Sequence, residues 1–301
     1  MCYRITSVFV EQNCTECDFA GADSWVILSP IEQSIKKKIE AIGKPLKDWD
    51  INIYRGVLTG FNEAFIISTD KRNEILDNCL SDDERKRTEE LIRPILRGRD
   101  IKRYSYDWAN LWLINSHNGV KGRIPRINIE EYPAVKAHLD QYWTKIKNRA
   151  DKGDTPYNLR NCAYLEDFQK PKAMWKIIGC NINFSFDNDA MICNNAVNII
   201  TGDEELILQF VGIMNSKLFD WYLKLTTEAE VQGGGIQLYV TTLEKTLVKL
   251  NFSGILSHTV QERVKGNLSD FDVDEAVFNA YNLTLEERYF ILSNQKVNRK
   301  A

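Results

Sequence analysis

The chain has 301 residues, 44% hydrophobic and 27% charged, with a formal net charge of −3. That length can bury a sizeable core in one large or two modest domains, and the slightly acidic total excludes a globally basic nucleic-acid binder: such binding would need a local basic patch. No apolar run is long enough to span a bilayer, the start Met1-Cys2-Tyr3-Arg4-Ile5-Thr6 lacks a signal-peptide core, and the seven irregularly spaced cysteines point to free thiols in a reducing cytoplasm.

Residues up to about Ala22 show no period and read as a connecting segment; Cys14 and Cys17 have zinc-like spacing, but no second pair completes four ligands. A helix is expected from Pro30, with Ser29 and Glu32 as a capping box, Ile31, Ile35, Ile39 and Ile42 on one face, and a stop at Gly43 and Pro45. The run from Tyr54 to Ile67 reads as strand, glycine turn, strand, with Gly56 and Gly60 able to bring backbone close to a ligand. A charged helix capped by Ser81 and Glu84 should follow, with Leu91, Ile92 and Ile95 inward and Pro94 bending or ending it.

Next comes Arg97-Gly98-Arg99-Asp100-Ile101-Lys102-Arg103-Tyr104-Ser105-Tyr106-Asp107-Trp108, running on to Trp112. Lys121, Arg123 and Arg126 form a second basic group in a glycine-containing loop. Arginine forks suit phosphate oxygens and guanine edges, and aromatic faces suit bases or sugars. The plainer reading is a solvated charged turn entering a buried aromatic strand. Beyond it a helix over 130–147, a polar loop at 151–157 and short strands near 173–178, 181–186, 191–193 and 197–201 are expected. Then come a long apolar helix over 204–226, a flexible Gln232-Gly233-Gly234-Gly235 segment, and helices from Ile255 with a break at Asn282-Leu283-Thr284.

Catalytic signatures are missing. His117, His138 and His258 fit no ligand spacing, and there is no GxSxG elbow, Walker loop, GxGxxG or Asn-Pro-Pro-Tyr-type loop. Catalysis by this chain alone is therefore not expected, and no cofactor or metal site is assigned within it.

Three blocks, Ile53-Tyr54-Arg55-Gly56-Val57-Leu58-Thr59-Gly60-Phe61-Asn62, Ile92-Arg93-Pro94-Ile95-Leu96-Arg97-Gly98-Arg99-Asp100-Ile101-Lys102-Arg103-Tyr104 and Trp112-Leu113-Ile114, together resemble the C-terminal specificity domain of TaqI-like adenine-specific DNA methyltransferases. Fused type II (IIG/IIS) restriction-modification enzymes carry it too. Ile213-Met214-Asn215-Ser216-Lys217-Leu218-Phe219, Gly233-Gly234-Gly235-Ile236 and Val277-Phe278-Asn279-Ala280-Tyr281 look like later landmarks of the same family, although the proline-rich exit after Tyr239 is absent.

The resemblance implies a mixed α+β (α/β) target-recognition domain with a small mixed or antiparallel sheet flanked by helices and a helical C-terminal tail. Its expected parts are a connector and helix over 1–50, the specificity domain over 51–250 and a helical segment over 251–301. It implies double-stranded DNA as partner, contacted by Arg97, Arg99, Lys102, Arg103, Tyr104, Lys121, Arg123 and Arg126, with Asn62, Gln232 and Gln237 as further base-edge candidates. It also implies an upstream methyltransferase part holding S-adenosylmethionine, and Mg if a nuclease part exists, with no membrane partner. The competing reading is a protein-interaction or scaffolding domain that does not read DNA.

Overall fold

The computed structural model describes residues 28–179, 181, 183–227, 230–231 and 235–294; Cys14, Cys17, Gln232, Gly233 and Gly234 lie outside them. The fold is mixed α+β, with small sheets and helices at the C-terminal end, as the resemblance implies. Helix α1 (Pro30–Ile42) starts as its sequence dictates: Glu32 accepts from the Ser29 N–H at 2.8 Å while Ser29 caps the Glu32 N–H. Ile35 and Ile39 are buried, but Ile42 at the end stays exposed.

Strand β1 (Lys44–Pro45) leads to β2 (Ile51–Arg55), then helix α2 (Asn62–Phe65) and β3 (Ile66–Ser68). The expected strand, glycine turn, strand holds a helical turn at Asn62–Phe65 before its second strand, and β2 and β3 join different sheets. Gly56 meets main chain rather than a ligand: a Cβ there would lie 2.0 Å from the Asn194 carbonyl oxygen. Helices α3 (Thr69–Asp77) and α4 (Asp82–Leu91) precede β4 (Ile92–Leu96) and β5 (Leu111–Ile114). The charged helix thus stops at Leu91, and Ile92, Pro94 and Ile95 belong to a strand. Ser81 caps α4, whereas Glu84 is buried and accepts from two other N–H groups, Leu80 at 2.7 Å and Ala134 at 2.9 Å.

The helix expected over 130–147 is broken into a 3-10 turn (Ile129–Glu131), α5 (Pro133–Asp140) and α6 (Trp143–Ile146). Pro133 explains the break: it fits the first helical position but disfavours helical backbone at Tyr132 before it. Strands β6 (Lys172–Lys176), β7 (Ile178–Gly179), β8 (Phe184–Asp187), β9 (Ile192–Cys193) and β10 (Val197–Gly202) follow.

One four-stranded sheet is antiparallel in the order β2-β10-β6-β8; the other runs β3-β5-β4-β9, its β4/β9 pair parallel. Strand alternation sends Ala173, Trp175, Phe184 and Ile200 into one core and Met174, Val197 and Ile199 into the other, so the first sheet is buried on both faces.

The apolar stretch after β10 is two helices, α7 (Glu204–Asn215) and α8 (Lys217–Thr226), because Ser216 leaves helical geometry and caps the second through the Phe219 N–H. Short elements β11 (Glu230–Val231), β12 (Gly235–Gln237), α9 (Val240–Leu243) and β13 (Leu247–Val248) come next, β13 pairing with β1. Helices α10 (Gly254–Val264), α11 (Asp270–Ala280) and α12 (Leu285–Asn294) close the chain. Val273, Val277, Phe278 and Tyr281 share the core with Phe210 and Val211 of α7, while Leu285 and Tyr289 point outward.

Candidate nucleic-acid interface

The two basic groups have different environments. In the first, Arg97 grips Asp100 through two parallel hydrogen bonds, Nε to Oδ2 at 3.0 Å and Nη2 to Oδ1 at 2.8 Å. The same carboxylate accepts from the Arg97 N–H at 2.8 Å, so the pair closes a turn, and Asp100 holds Arg97 more firmly protonated. Arg103 pairs with Asp270 at 3.1 Å and donates to the Asn215 carbonyl.

Tyr104 is 1% exposed and belongs to the core, with its backbone at a positive φ of 66°. Its ring lies 4.8 Å from the Arg263 guanidinium and 5.6 Å from that of Arg103, and its N–H donates to the Phe184 carbonyl at the edge of the sheet. Tyr104, expected among the DNA contacts, is thus placed in the core. Arg97 and Arg103 are likewise committed within the protein. Arg99 and Lys102 are exposed; Lys102 lies 3.5 Å from Asp107.

The other aromatics of this stretch are engaged too. The Tyr106 hydroxyl lies 2.9 Å from Asp187 and 2.8 Å from Asp189, which share its single proton, and burial next to these carboxylates raises its pKa. Trp108 meets Trp112 edge-on at 5.1 Å, and the Arg72 guanidinium covers the Trp112 ring at 4.3 Å. The stretch therefore covers the free edge of β8 and packs its rings inward, which an unpaired sheet edge requires.

The second group is built for display. Val120 and Ile124 exchange backbone hydrogen bonds at 2.8 and 2.9 Å, making a tight hairpin whose turn is Lys121-Gly122-Arg123. Gly119 and Gly122 hold positive φ values of 73° and 78°, open to glycine without strain. Lys121, Arg123 and Arg126 are all exposed. Lys121 has no ion pair among the described residues; Arg123 pairs with Glu166 and Arg126 with Asp154, each at 3.2 Å. Nearby, exposed Arg160 pairs with Asp151 at 3.1 Å. Such exposed pairs contribute only about 0–1 kcal/mol, so phosphate or base oxygens can displace them at little cost.

Asn118 and Asn158 fasten the hairpin to the 151–163 loop, and buried Arg149 braces that loop. Asn158, 1% exposed, donates to the Ile127 carbonyl at 2.9 Å and accepts from Thr155 at 2.6 Å. Arg149 donates to the Thr59, Pro156 and Asn158 carbonyls and stacks over Phe65 at 4.2 Å; burial pulls its pKa down to about 10. Asn118 donates to Asp154 at 3.0 Å and to Asn161, and accepts from the Asp154 N–H at 2.8 Å. Between hairpin and loop lies an open concavity of about 790 Å³. The sequence reading missed Asn118, Arg149, Asn158 and Asp154; two asparagines and an arginine beside turn residues are the only signal they leave.

The remaining candidates lie apart from one another. Asn62 is exposed and its carbonyl oxygen accepts from Thr59, leaving its amide free to donate. Gln237 bonds the Tyr239 hydroxyl, and Gln232 lies outside the described residues. Among the described residues no group of three or more His, Cys, Asp or Glu side chains converges to hold a metal, and burial raises the Cys162 thiol to about 11.

The sequence pattern of the TaqI-like C-terminal specificity domain matches residues 93–246. No curated protein matches the chain. Among solved structures, the type IIL restriction-modification enzyme MmeI in complex with DNA is similar at 12% identity and a TM-score of 0.54, over 83% of this chain and 36% of that one. The type IIG restriction endonuclease BpuSI matches at 14% identity and a TM-score of 0.47, over 79% of this chain and 28% of that one. The chain thus spans little more than a third of the MmeI chain, and at this identity the likeness is one of fold.

Proposed function

Because the chain belongs to the family of TaqI-like C-terminal specificity domains, we propose that it is the DNA target-recognition module of a restriction-modification enzyme. In this reading it positions an N6-adenine methyltransferase part, and a nuclease part where one exists, on a short duplex sequence. The observation that carries it is the exposed hairpin of Lys121, Arg123 and Arg126, clamped to the 151–163 loop by Asn118 and Asn158, while Arg149 ties that loop to the Thr59 carbonyl. A rigid mount is what recognition needs, because a side chain fixed in place before binding loses less freedom on contact.

Lys121, Arg123, Arg126 and Arg160 supply the positive face, with Arg99 and Lys102 as outlying phosphate contacts. The tightly engaged Arg97, Arg103 and Tyr104 hold the scaffold. S-adenosylmethionine belongs to the methyltransferase part in this reading, and no residue of this chain is assigned to it.

The test is selection of random-sequence duplexes by the purified chain at low salt, followed by sequencing. An enriched short motif supports target recognition and names the site. Binding without enrichment, or no binding, overturns it for the isolated chain and favours the scaffolding role. Since affinity rests on counterion release, Lys121→Ala should lower the slope of log K against log salt by about 0.9.

A further inference from the structure

We infer that the concavity beside the 118–126 hairpin reads a guanine, and that Arg126, buttressed by Asp154, is the residue that reads it. This rests on the DNA-recognition reading above and assigns one residue of that site a base.

Three arginines here have carboxylate partners, but the partners differ. All three carboxylates are solvent-accessible, Asp154 at 63% the most, but neither Glu166 nor Asp151 has another hydrogen bond beyond its arginine among the described residues. Asp154 is pinned twice by one side chain: Asn118 accepts from its N–H at 2.8 Å and donates to its Oδ1 at 3.0 Å. Its Oδ2 remains for Arg126 Nη1, at 3.2 Å.

The backbone around Arg126 is fixed as well. The Ile127 N–H donates to the His117 carbonyl at 3.1 Å, and Gly119 packs so closely that a Cβ would lie 2.7 Å from the Arg126 nitrogen. Arg126 is therefore fixed at its backbone, and its guanidinium rests with one nitrogen on Asp154 and no other partner among the described residues.

Free side-chain donors line the concavity, and the Asp154 carboxylate in its wall is engaged by Asn118 and Arg126. Asn161 has its carbonyl oxygen occupied by Asn118, which leaves its amide N–H groups; Lys121 and Arg126 can only donate. Guanine is the base that offers two acceptors, N7 and O6, side by side in the major groove, spaced for an arginine fork. Lys121, at the tip and without a fixed partner, matches a phosphate instead.

Duplex selection with the full chain and four variants tests this, with urea midpoints confirming that each variant folds. The wild type should enrich a motif containing a guanine that Arg126→Gln no longer prefers, the discrimination there falling about 5- to 150-fold. Arg126→Lys keeps the charge but not the fork, so it should lose the same preference while still binding. Asp154→Asn should relax that one position less, and Lys121→Ala should weaken all sequences alike and keep the motif. If the wild type enriches no motif, the recognition reading itself fails. If it does, but Arg126→Gln and Arg126→Lys keep the motif and only bind more weakly, Arg126 is a phosphate contact and the assignment is overturned.

Discussion

Arg103 and Asp270 meet through Nε and Oδ2 at 3.1 Å, fastening the basic stretch after β4 to the first residue of α11. Arg263 reaches the other oxygen of Asp270 at 2.7 Å, and the two guanidinium groups lie over the ring of Tyr104. This clasp joins segments distant in sequence. Arg103→Ala should lower stability by about 1.5–3 kcal/mol, the range for a hydrogen bond made by a charged group, here the one to the Asn215 carbonyl. The selected DNA motif should be unchanged. Urea unfolding with a constant m-value checks the first part; a loss of DNA affinity larger than the unfolded fraction explains would show that Arg103 touches DNA after all.

Lys172 and Asp187 stand directly opposite on β6 and β8, and both are fully buried. Lys172 also donates to the Phe168 carbonyl at 2.8 Å, while Asp187 accepts from Tyr106 and from the Met191 N–H. Removing only the cation strands a carboxylate in the core. Lys172→Met should therefore cost about 3–5 kcal/mol, far more than an exposed charge would. A midpoint shift below about 1 kcal/mol would mean that Asp187 is already satisfied by its other donors.

How much of this was legible follows from the range of each signal. Local signals held: Ser29 and Glu32 form their capping box, and the strand runs near 173–178 and 197–201 fall where their composition puts them. Helix lengths failed where one residue intervened, as at Ser216 and Pro133. In the basic stretch the charges could be counted but not all of their partners. Asp100, three residues from Arg97, was visible; Asp270, the partner of Arg103, was not. Asn118, Arg149 and Asn158 were invisible as staples, since a polar side chain bonding across two loops has no periodicity to betray it.

Burial holds the His117 and His138 imidazoles below their ordinary pKa of 6.5. Both are thus neutral in the folded chain at pH values where the unfolded chain already takes up protons. Their contribution is present above about pH 6.5 and is lost as pH falls from there through the folded values. Each can add up to about 1.4 kcal/mol per pH unit over that window. The urea midpoint, followed from about pH 7.5 to 5, should fall less steeply in His138→Gln than in the wild type, and parallel curves would sink the assignment.

Gly119 and Gly122 share a left-handed backbone but not a neighbourhood, and this separates strain from contact at the hairpin. A Cβ on Gly119 would lie 2.4 Å from the Ile124 carbonyl oxygen, whereas nothing lies within 4 Å of one on Gly122. Gly122→Ala should therefore cost only the conformational strain, about 1 kcal/mol, and keep both hairpin and DNA motif. Gly119→Ala must also push the Ile124 strand away, moving Arg126 off Asp154. Its amide exchange at Arg123 and Ile124, whose N–H groups both donate to Val120, should accelerate, the guanine preference should disappear, and the urea midpoint should fall further than in Gly122→Ala. Equal exchange rates in the two variants would show that the hairpin yields without opening, and that its geometry does not set what Arg126 reads.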